Sequence, residues 1–543
     1  MMKKLLTFLL IAASVAFAQE NKSQNPNVEL PDFVITGKDI ISVPKATKMA
    51  PGFISTVTKE YLSPKFSPDV LEVPNFNTPI NNEINLYDTT NFYNSYIRFT
   101  AGAYSLPEAR VFYGVPFTNG TFDAYFQGNN QLAYTDYSDF SKINAGLNFN
   151  YYVPYNSQSF GGTHISLNGD YGANVFKLYG APVSLLNQQD KIKRTLNTGN
   201  LNVDIKNLSS DSFIYDVKST NKFTALPNQD FTENLYNLNA YGKAQISHFS
   251  IGLNFLYKNQ FLPGKGNANE IVKDNGLSSY YELKPFMGMK ISDVLNIRFG
   301  IDYSKANIPN TKGFFVPFGE AALKLAPNLT LLGEFSPHTE FTSNGEFLRQ
   351  NRFYDPFNSY NILTKKKFYL KGALKYEYGK YFEIDGGVSY FSADNLPYFV
   401  YNNTSGKFYV KTIDADNYSA FLNLLFHLGP YGMFYGNAVL NRTQNNSRVI
   451  PYYPQIKTSL VYGYYFDVGL DAEINLTYYS SHVDLNKSKS ISYADLGLKF
   501  DYKFLSQLHF VLELSNLTNN LNYNWENYQE LPFNIKGGFL FRW

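Results

Sequence analysis

The chain has 543 residues, enough for about three or four soluble domains of ordinary size. Its composition argues against that: aromatic residues make up 17%, with 45 Tyr and 47 Phe but only 2 Trp, while charged residues are also 17%, below the share of about 25% usual for soluble domains. Lys+Arg 47 against Asp+Glu 45 gives a net charge of +2, so there is no basic field to hold nucleic acid. Cysteine is absent, which excludes disulfides, thiolate metal sites, thiol nucleophiles and anchoring through an N-terminal lipidated Cys.

The N-terminus reads as a secretory leader. Lys3 and Lys4 form a positive start, Leu5 to Val15 a short apolar run, and Ala16-Phe17-Ala18 a small-x-small site, so cleavage is expected after Ala18 and the signal peptide spans 1–18. The run is too short to span a bilayer, and no stretch of about 18 apolar residues follows it. Residues 19–91 read as a periplasmic segment. Within it Ser55-Thr56-Val57-Thr58-Lys59-Glu60 is extended in pattern, after which Pro64, Pro68, Pro74 and Pro79 interrupt any regular element.

From about Phe92 to the end the dominant period is two. Leu295-Ile297-Phe299-Ile301-Tyr303, Phe368-Leu370-Gly372-Leu374-Tyr376-Tyr378, Phe466-Val468-Leu470-Ala472-Ile474-Leu476-Tyr478, Ala494-Leu496-Leu498-Phe500-Tyr502-Phe504 and Leu508-Phe510-Leu512-Leu514 place apolar residues on one face. Between them lie polar or small residues, among them Asp471, Glu473, Lys499, Asp501 and Lys503. Such runs exceed the strands of about 5–6 residues found in soluble sandwiches and suit a tilted strand crossing a bilayer. Tight turns at Ser292-Asp293, Ala326-Pro327-Asn328, Gly379-Lys380, Gly429-Pro430 and Leu505-Ser506-Gln507 alternate with long polar stretches at Pro263–Gly276, His338–Asn361, Arg442–Pro454, Ser480–Ser490 and Leu517–Pro532. Short periplasmic turns with longer outer loops are the outer-membrane arrangement. The pairs Tyr280-Tyr281, Tyr452-Tyr453 and Tyr478-Tyr479 suggest aromatic girdles.

The expected fold class is therefore all-β, a transmembrane antiparallel barrel of the Gram-negative outer membrane over residues 92–543, with about 20–22 strands whose last pairs with the first. A lumen that wide is not filled by its own side chains. The last strand, Phe533-x-Ile535-x-Gly537-x-Phe539-x-Phe541-x-Trp543, resembles the terminal signal read by the barrel-assembly machinery, with Phe539, Phe541 and Trp543 as its aromatic residues.

Leu512-Glu513-Leu514-Ser515-Asn516-Leu517-Thr518-Asn519-Asn520, with Tyr523 and Gly537-Gly538-Phe539, is similar to the closing hairpin of TonB-dependent receptors, and Pro451-Tyr452-Tyr453-Pro454 is similar to a loop-to-strand passage of that barrel. Leu30-Pro31-Asp32-Phe33-Val34-Ile35-Thr36-Gly37 resembles the segment before their plug. The resemblance implies that Asp32, Phe33, Val34, Ile35, Thr36 and Gly37 contact TonB or another periplasmic protein by strand addition. The family carries a globular plug longer than the segment available here, Lys38 to about Asn91, so a missing or reduced plug is expected. The resemblance implies transport of a small, unidentified solute. A passive channel, or a barrel anchoring a surface or periplasmic complex, is the alternative.

Enzyme chemistry finds little in the sequence. His164, His248, His338, His427, His482 and His509 lie at no metal-like spacing, and neither a catalytic set nor a cofactor motif is expected. Ser336 near His338 and Ser481 beside His482 are adjacent at predicted rims, a pairing common by chance. The aromatic stretch Phe353-Tyr354-Asp355-Pro356-Phe357 suits either ligand stacking or an ordered loop core.

Overall fold

A computed structural model describes residues 95–543 outside 155–156, 158–159, 188–191, 208–211, 263–276, 293, 308–311, 359–361, 379–381, 428–431, 447 and 483–490. The expected leader, the Asp32–Gly37 stretch and the reduced plug therefore lie outside the described residues. No described helix is long and apolar enough to cross a membrane.

The described chain is a closed, antiparallel 22-strand barrel. Each strand pairs with the next, from Ser95–Gly102 round to Asn534–Arg542. The ring shuts where Ile97 faces Phe541 and Phe99 faces Phe539. Two strands are broken by short irregularities: Leu329–Phe335 continues as His338–Thr342, and Arg448–Val449 precedes Ile456–Phe466. Closure matters physically because lipid offers no partner to an unpaired backbone amide or carbonyl.

The period of two gives the wall its two faces. Phe126, Ile251, Phe299, Leu374, Leu422, Phe510 and Phe541 all keep their side chains exposed on the outside of the barrel. An apolar belt of this size would be a liability in water and is the natural surface toward lipid. The alternate residues point inward and are largely polar. Asp471, Glu473, Lys499 and Asp501, for instance, lie on neighbouring strands in register, with Glu473 opposite Lys499 and Asp471 opposite Asp501.

Three sequence expectations need correction. The run Phe466 to Tyr478 is two strands, not one: Ile456–Phe466 ends, and Leu470–His482 begins after a turn in which Gly469 adopts φ +81°. The alternation ran on through the turn because Val468, 72% exposed, continues the apolar pattern past the strand end. The stretch His338–Asn361 is not all loop, since His338–Thr342 is strand and Asn344–Gln350 is helix. The tyrosine pairs are not simple girdles. Neighbours in a strand point to opposite sides, so Tyr478 is exposed outside while Tyr479 is half-buried; in another strand Tyr280 is fully buried, its hydroxyl 3.0 Å from the Thr339 carbonyl. Tyr452 and Tyr453 belong to an outer loop.

Candidate functional site

The outer connections converge on one apolar core. Phe176 at a strand end, with Leu178 and Ile192 from the connection that follows it, meets Phe353 and Tyr354 from another connection, together with Phe408 and Tyr528. Trp525 and Tyr452 pack against the same cluster. Polar groups lock it. The fully buried Arg194 donates to the Arg352 carbonyl at 3.0 Å and to Gln229 Oε1 at 3.1 Å. The hydroxyls of Tyr134 and Tyr179 both donate to the Gln529 carbonyl, at 2.6 and 2.8 Å, and Tyr401 donates to the Gly180 carbonyl at 2.6 Å. The Arg352 guanidinium lies over the rings of Phe140, Phe176 and Phe353 at 5.0–5.4 Å. Burial raises the phenol pKa values of Tyr179 and Tyr528. It also raises the Glu530 carboxyl, an effect that Arg352 partly opposes. Of the two readings open for Phe353–Phe357, the structure places Phe353 and Tyr354 in a loop core.

One connection turns inward. Ser343 caps the helix Asn344–Gln350 in a reciprocal box with Glu346. The helix reaches strands distant from its own: the Gly345 amide donates to Glu233 Oε1 at 2.9 Å, Lys222 pairs with Glu346 at 3.2 Å, and Arg349 donates to the Gly199 and Phe223 carbonyls, both at 3.2 Å. Gly345 is required by close approach, because a Cβ there would sit 2.5 Å from Glu233 Oε1 and 2.9 Å from Thr224 Oγ1. Burial alone would raise the Glu346 carboxyl; Lys258 and Lys222 outweigh it and hold the group below its ordinary value. The Ser343-x-x-Glu346 spacing was the sequence signal for this helix.

Beside that connection lies a cavity of about 470 Å³, a size within the usual range for small-molecule sites. Tyr369, Phe391, Tyr398, Tyr453 and Trp525 are among its walls. A β-bulge shapes it: Lys366 pairs with Ala393 and Phe368 with Ser392, leaving Lys367 as the extra residue. The slip lets Lys366 and Tyr369, which strict alternation would send to opposite faces, both line the cavity. It also turns Lys367 outward, where it pairs with Asp394 at 2.6 Å. A second depression, of about 690 Å³, is walled by Leu370, Val388, Tyr418 and Leu440, which belong to the lipid-facing surface.

Several charges inside the barrel are paired. Glu340 bridges His338 at 3.2 Å and Lys366 at 2.5 Å, and Lys284 bridges Glu282 at 2.7 Å and Asp302 at 3.1 Å. Near the seam Glu513 pairs with Arg98 and with Lys536 at 3.2 Å, and Lys536 also reaches Glu108 at 3.4 Å. The Ser336–His338 pair is not a nucleophile and base: His338 Nδ1 contacts the Ser336 backbone carbonyl at 2.7 Å, while the Ser336 hydroxyl donates to Glu334. His164 contacts Asn150 at 3.2 Å, and His509 contacts Asp501 at 2.6 Å. The side chains of Ser481, His482 and His427 lie outside the described ones. Among the described residues, no group of three or more His, Asp or Glu is placed to hold a metal.

Of the residues singled out in the sequence, Phe539, Phe541 and Trp543 lie on or next to the closing strand with exposed side chains. Of the cavity walls, Ser336, His338, Tyr452, Tyr453 and Pro454 were named in the sequence, though not as parts of one site, and the others were not. They come from strands and loops far apart in sequence, and only the fold brings them together.

No family model and no curated protein matches the sequence. Solved structures do match. The FrpB iron transporter from Neisseria meningitidis is similar with a TM-score of 0.61 and 9% identity, over 83% of this chain and 82% of that one. The copper transporter OprC is similar at 0.57 and 11%, over 83% and 80%. The pyoverdine outer membrane receptor FpvA from Pseudomonas aeruginosa PAO1 is similar at 0.57 and 12%, over 84% and 79%. At these identities the likeness is one of fold: this chain has the barrel of the TonB-dependent receptors. A closed barrel with an apolar outer belt and this fold is an outer-membrane protein.

Proposed function

We propose that the protein moves a small solute across the outer membrane, holding it first in the cavity beneath the outer loops. The observation that carries this reading is the convergence of those loops on one core beside a walled cavity of about 470 Å³. A passive pore needs only an open lumen, whereas a receptor needs a place for its solute to stop. The likeness in fold to iron and copper transporters supports the same reading.

Coupling to a periplasmic partner through Asp32, Phe33, Val34, Ile35, Thr36 and Gly37 belongs to this proposal, as does a reduced plug between Lys38 and Asn91. The test is uptake by cells expressing the full chain or a deletion of 31–37. Loss of uptake with the barrel still inserted supports coupling, and unchanged uptake removes it. Single-channel conductance of the purified protein is the companion measurement. A small or silent current is expected, and a large steady one would favour a passive channel.

A further inference from the structure

We infer that the permeability barrier of this barrel is a roof built from its own outer connections, and that the seal does not depend on residues 38–91. Closure of this kind holds whether or not a solute is carried, so it stands apart from the transport reading. The contacts reach across the ring rather than along it. Residues 178–192 follow the fifth strand, Thr163–Lys177, and residues 403–406 follow the fifteenth, Phe382–Asn402, ten strands further on in a ring of 22. Nearly a full diameter separates those strands in the wall, yet their connections touch. The Tyr401 hydroxyl donates to the Gly180 carbonyl at 2.6 Å, and a Cβ on Gly406 would sit 2.4 Å from the Ala181 Cα. Gly406 also holds φ +69°, so both the turn and the close approach require glycine there.

Other connections close in on that junction. Residues 353–355 run beside the start of the strand Lys407–His427 as a short parallel addition. There the Asp355 amide donates to the Phe408 carbonyl at 2.7 Å, and the Phe408 amide donates to the Phe353 carbonyl at 3.0 Å. Residues 132–139 join residues 516–533 through Tyr134 and the Gln529 carbonyl, and residues 446–455 join them through Tyr452, whose hydroxyl donates to Glu526 at 3.1 Å. The centre is dry: Leu178, Ile192, Leu348, Tyr354, Phe408 and Tyr528 are each at most 1% exposed. The bonds that cross it run largely from phenols to backbone carbonyls, so these polar groups are satisfied without water. A ring of 22 strands is too wide for its wall side chains to fill, so whatever bars it must be a layer laid across it. An ion taking this path would have to shed its water among rings and alkyl groups, and an apolar constriction stops conduction on that ground.

Full-length mature protein is reconstituted in planar bilayers, and its single-channel conductance is compared with that of Tyr528→Ala, Gly406→Val and Tyr401→Phe. Phe510→Ala, on the lipid face, is the control. The heat-modifiable gel shift shows that each barrel is folded, and limited proteolysis reads the state of the outer connections. The wild type and the control should be silent or nearly so. Tyr528→Ala and Gly406→Val should conduct steadily, about tenfold or more above them, as water enters the apolar layer. Tyr401→Phe removes one crossing bond at almost constant volume and should give brief openings. A wild type that already conducts freely overturns the inference. Silence in all three roof variants overturns it too: with the connections loosened, the barrier lies elsewhere in the chain, and with them tight, these contacts do not hold the roof. Equal conductance from Phe510→Ala marks a general leak of a weakened barrel and has the same consequence. Solute uptake is measured separately in cells, so a failed transport reading leaves the roof standing, and a failed roof leaves the transport reading untouched.

Discussion

Phe353 lies flat on Tyr528, their ring centroids 3.5 Å apart and their planes 17° from parallel, joining two outer connections that are well separated in the chain. Around that contact Tyr179 packs edge-on against both rings. The stack ties the inward-turning connection to the last outer loop, so the two are expected to loosen together. Tyr528 is fully buried, and Tyr528→Ala is expected to cost the outer core about 3–5 kcal/mol, the range for removing a large buried ring. The barrel strands should be untouched. Limited proteolysis of the inserted protein should then cut within the outer connections at least tenfold faster, with the heat-modifiable gel shift of the barrel unchanged. Equal cutting rates would show that the stack holds nothing.

The two faces of one strand make a second prediction. Leu422 is exposed to lipid, and its neighbour Asn423 faces the lumen, accepting from Asn437 and donating to Asp385 at 3.3 Å. Leu422→Arg is expected to destabilise the inserted barrel by about 2–4 kcal/mol, the penalty for a cation near the bilayer midplane. Asn423→Ser should lower it by less than half of that. Guanidinium titrations in lipid vesicles measure both, and equal effects would refute the assignment of faces.

Docking of the inward helix should depend on pH through Glu346. Its carboxyl is held below its ordinary value by Lys258 and Lys222 against the opposing effect of burial. A carboxylate lowered in the folded state stabilises that state above its unfolded pKa, and the contribution fades as pH falls through the folded one. The helix should therefore hold at neutral pH and loosen on acidification through and below the usual carboxylate range. Hydrogen exchange at the amides of Phe347 and Leu348, followed from pH 7 downward, tests this. In Glu346→Gln the exchange should already be faster at pH 7 and should change less with acid.

The closing strand yields a prediction about assembly. Removing Phe541, Arg542 and Trp543 deletes the pairs Ile97–Phe541 and Tyr96–Arg542 from the seam, together with the outward aromatic residues proposed as the signal for the assembly machinery. Insertion in cells should drop several-fold. Trp543→Phe, which keeps an aromatic end, should retain most of it. If the truncated chain inserts normally, these residues carry no such signal.

The barrel was legible in the sequence because its cause is local. A strand between lipid and water must alternate, and Leu295 to Tyr303 or Leu508 to Leu514 show that alternation without reference to anything distant. Where alternation survives a turn, as at Val468, the reading joins two strands into one. Where a bulge breaks it, as at Lys367, a site forms that a period of two cannot foretell. The cavity was not legible for a different reason. Tyr369, Trp525 and Lys284 become neighbours only through a ring of strands and loops whose partners are set globally. The helix Asn344–Gln350 stood between these cases: its capping box was written in the chain, but the run of polar residues around it read as loop.

The seam between Ser95–Gly102 and Asn534–Arg542 has a consequence for how the protein comes into being. The first described strand's permanent neighbour is the described strand farthest from it along the chain. Until that segment arrives, the growing sheet has two raw edges, and neither can be left against hydrocarbon. No shorter, still-viable barrel exists along the way, since each intermediate is an open ribbon. Closure is thus built into connectivity: the ring shuts only when Asn534–Arg542 reaches Ser95–Gly102.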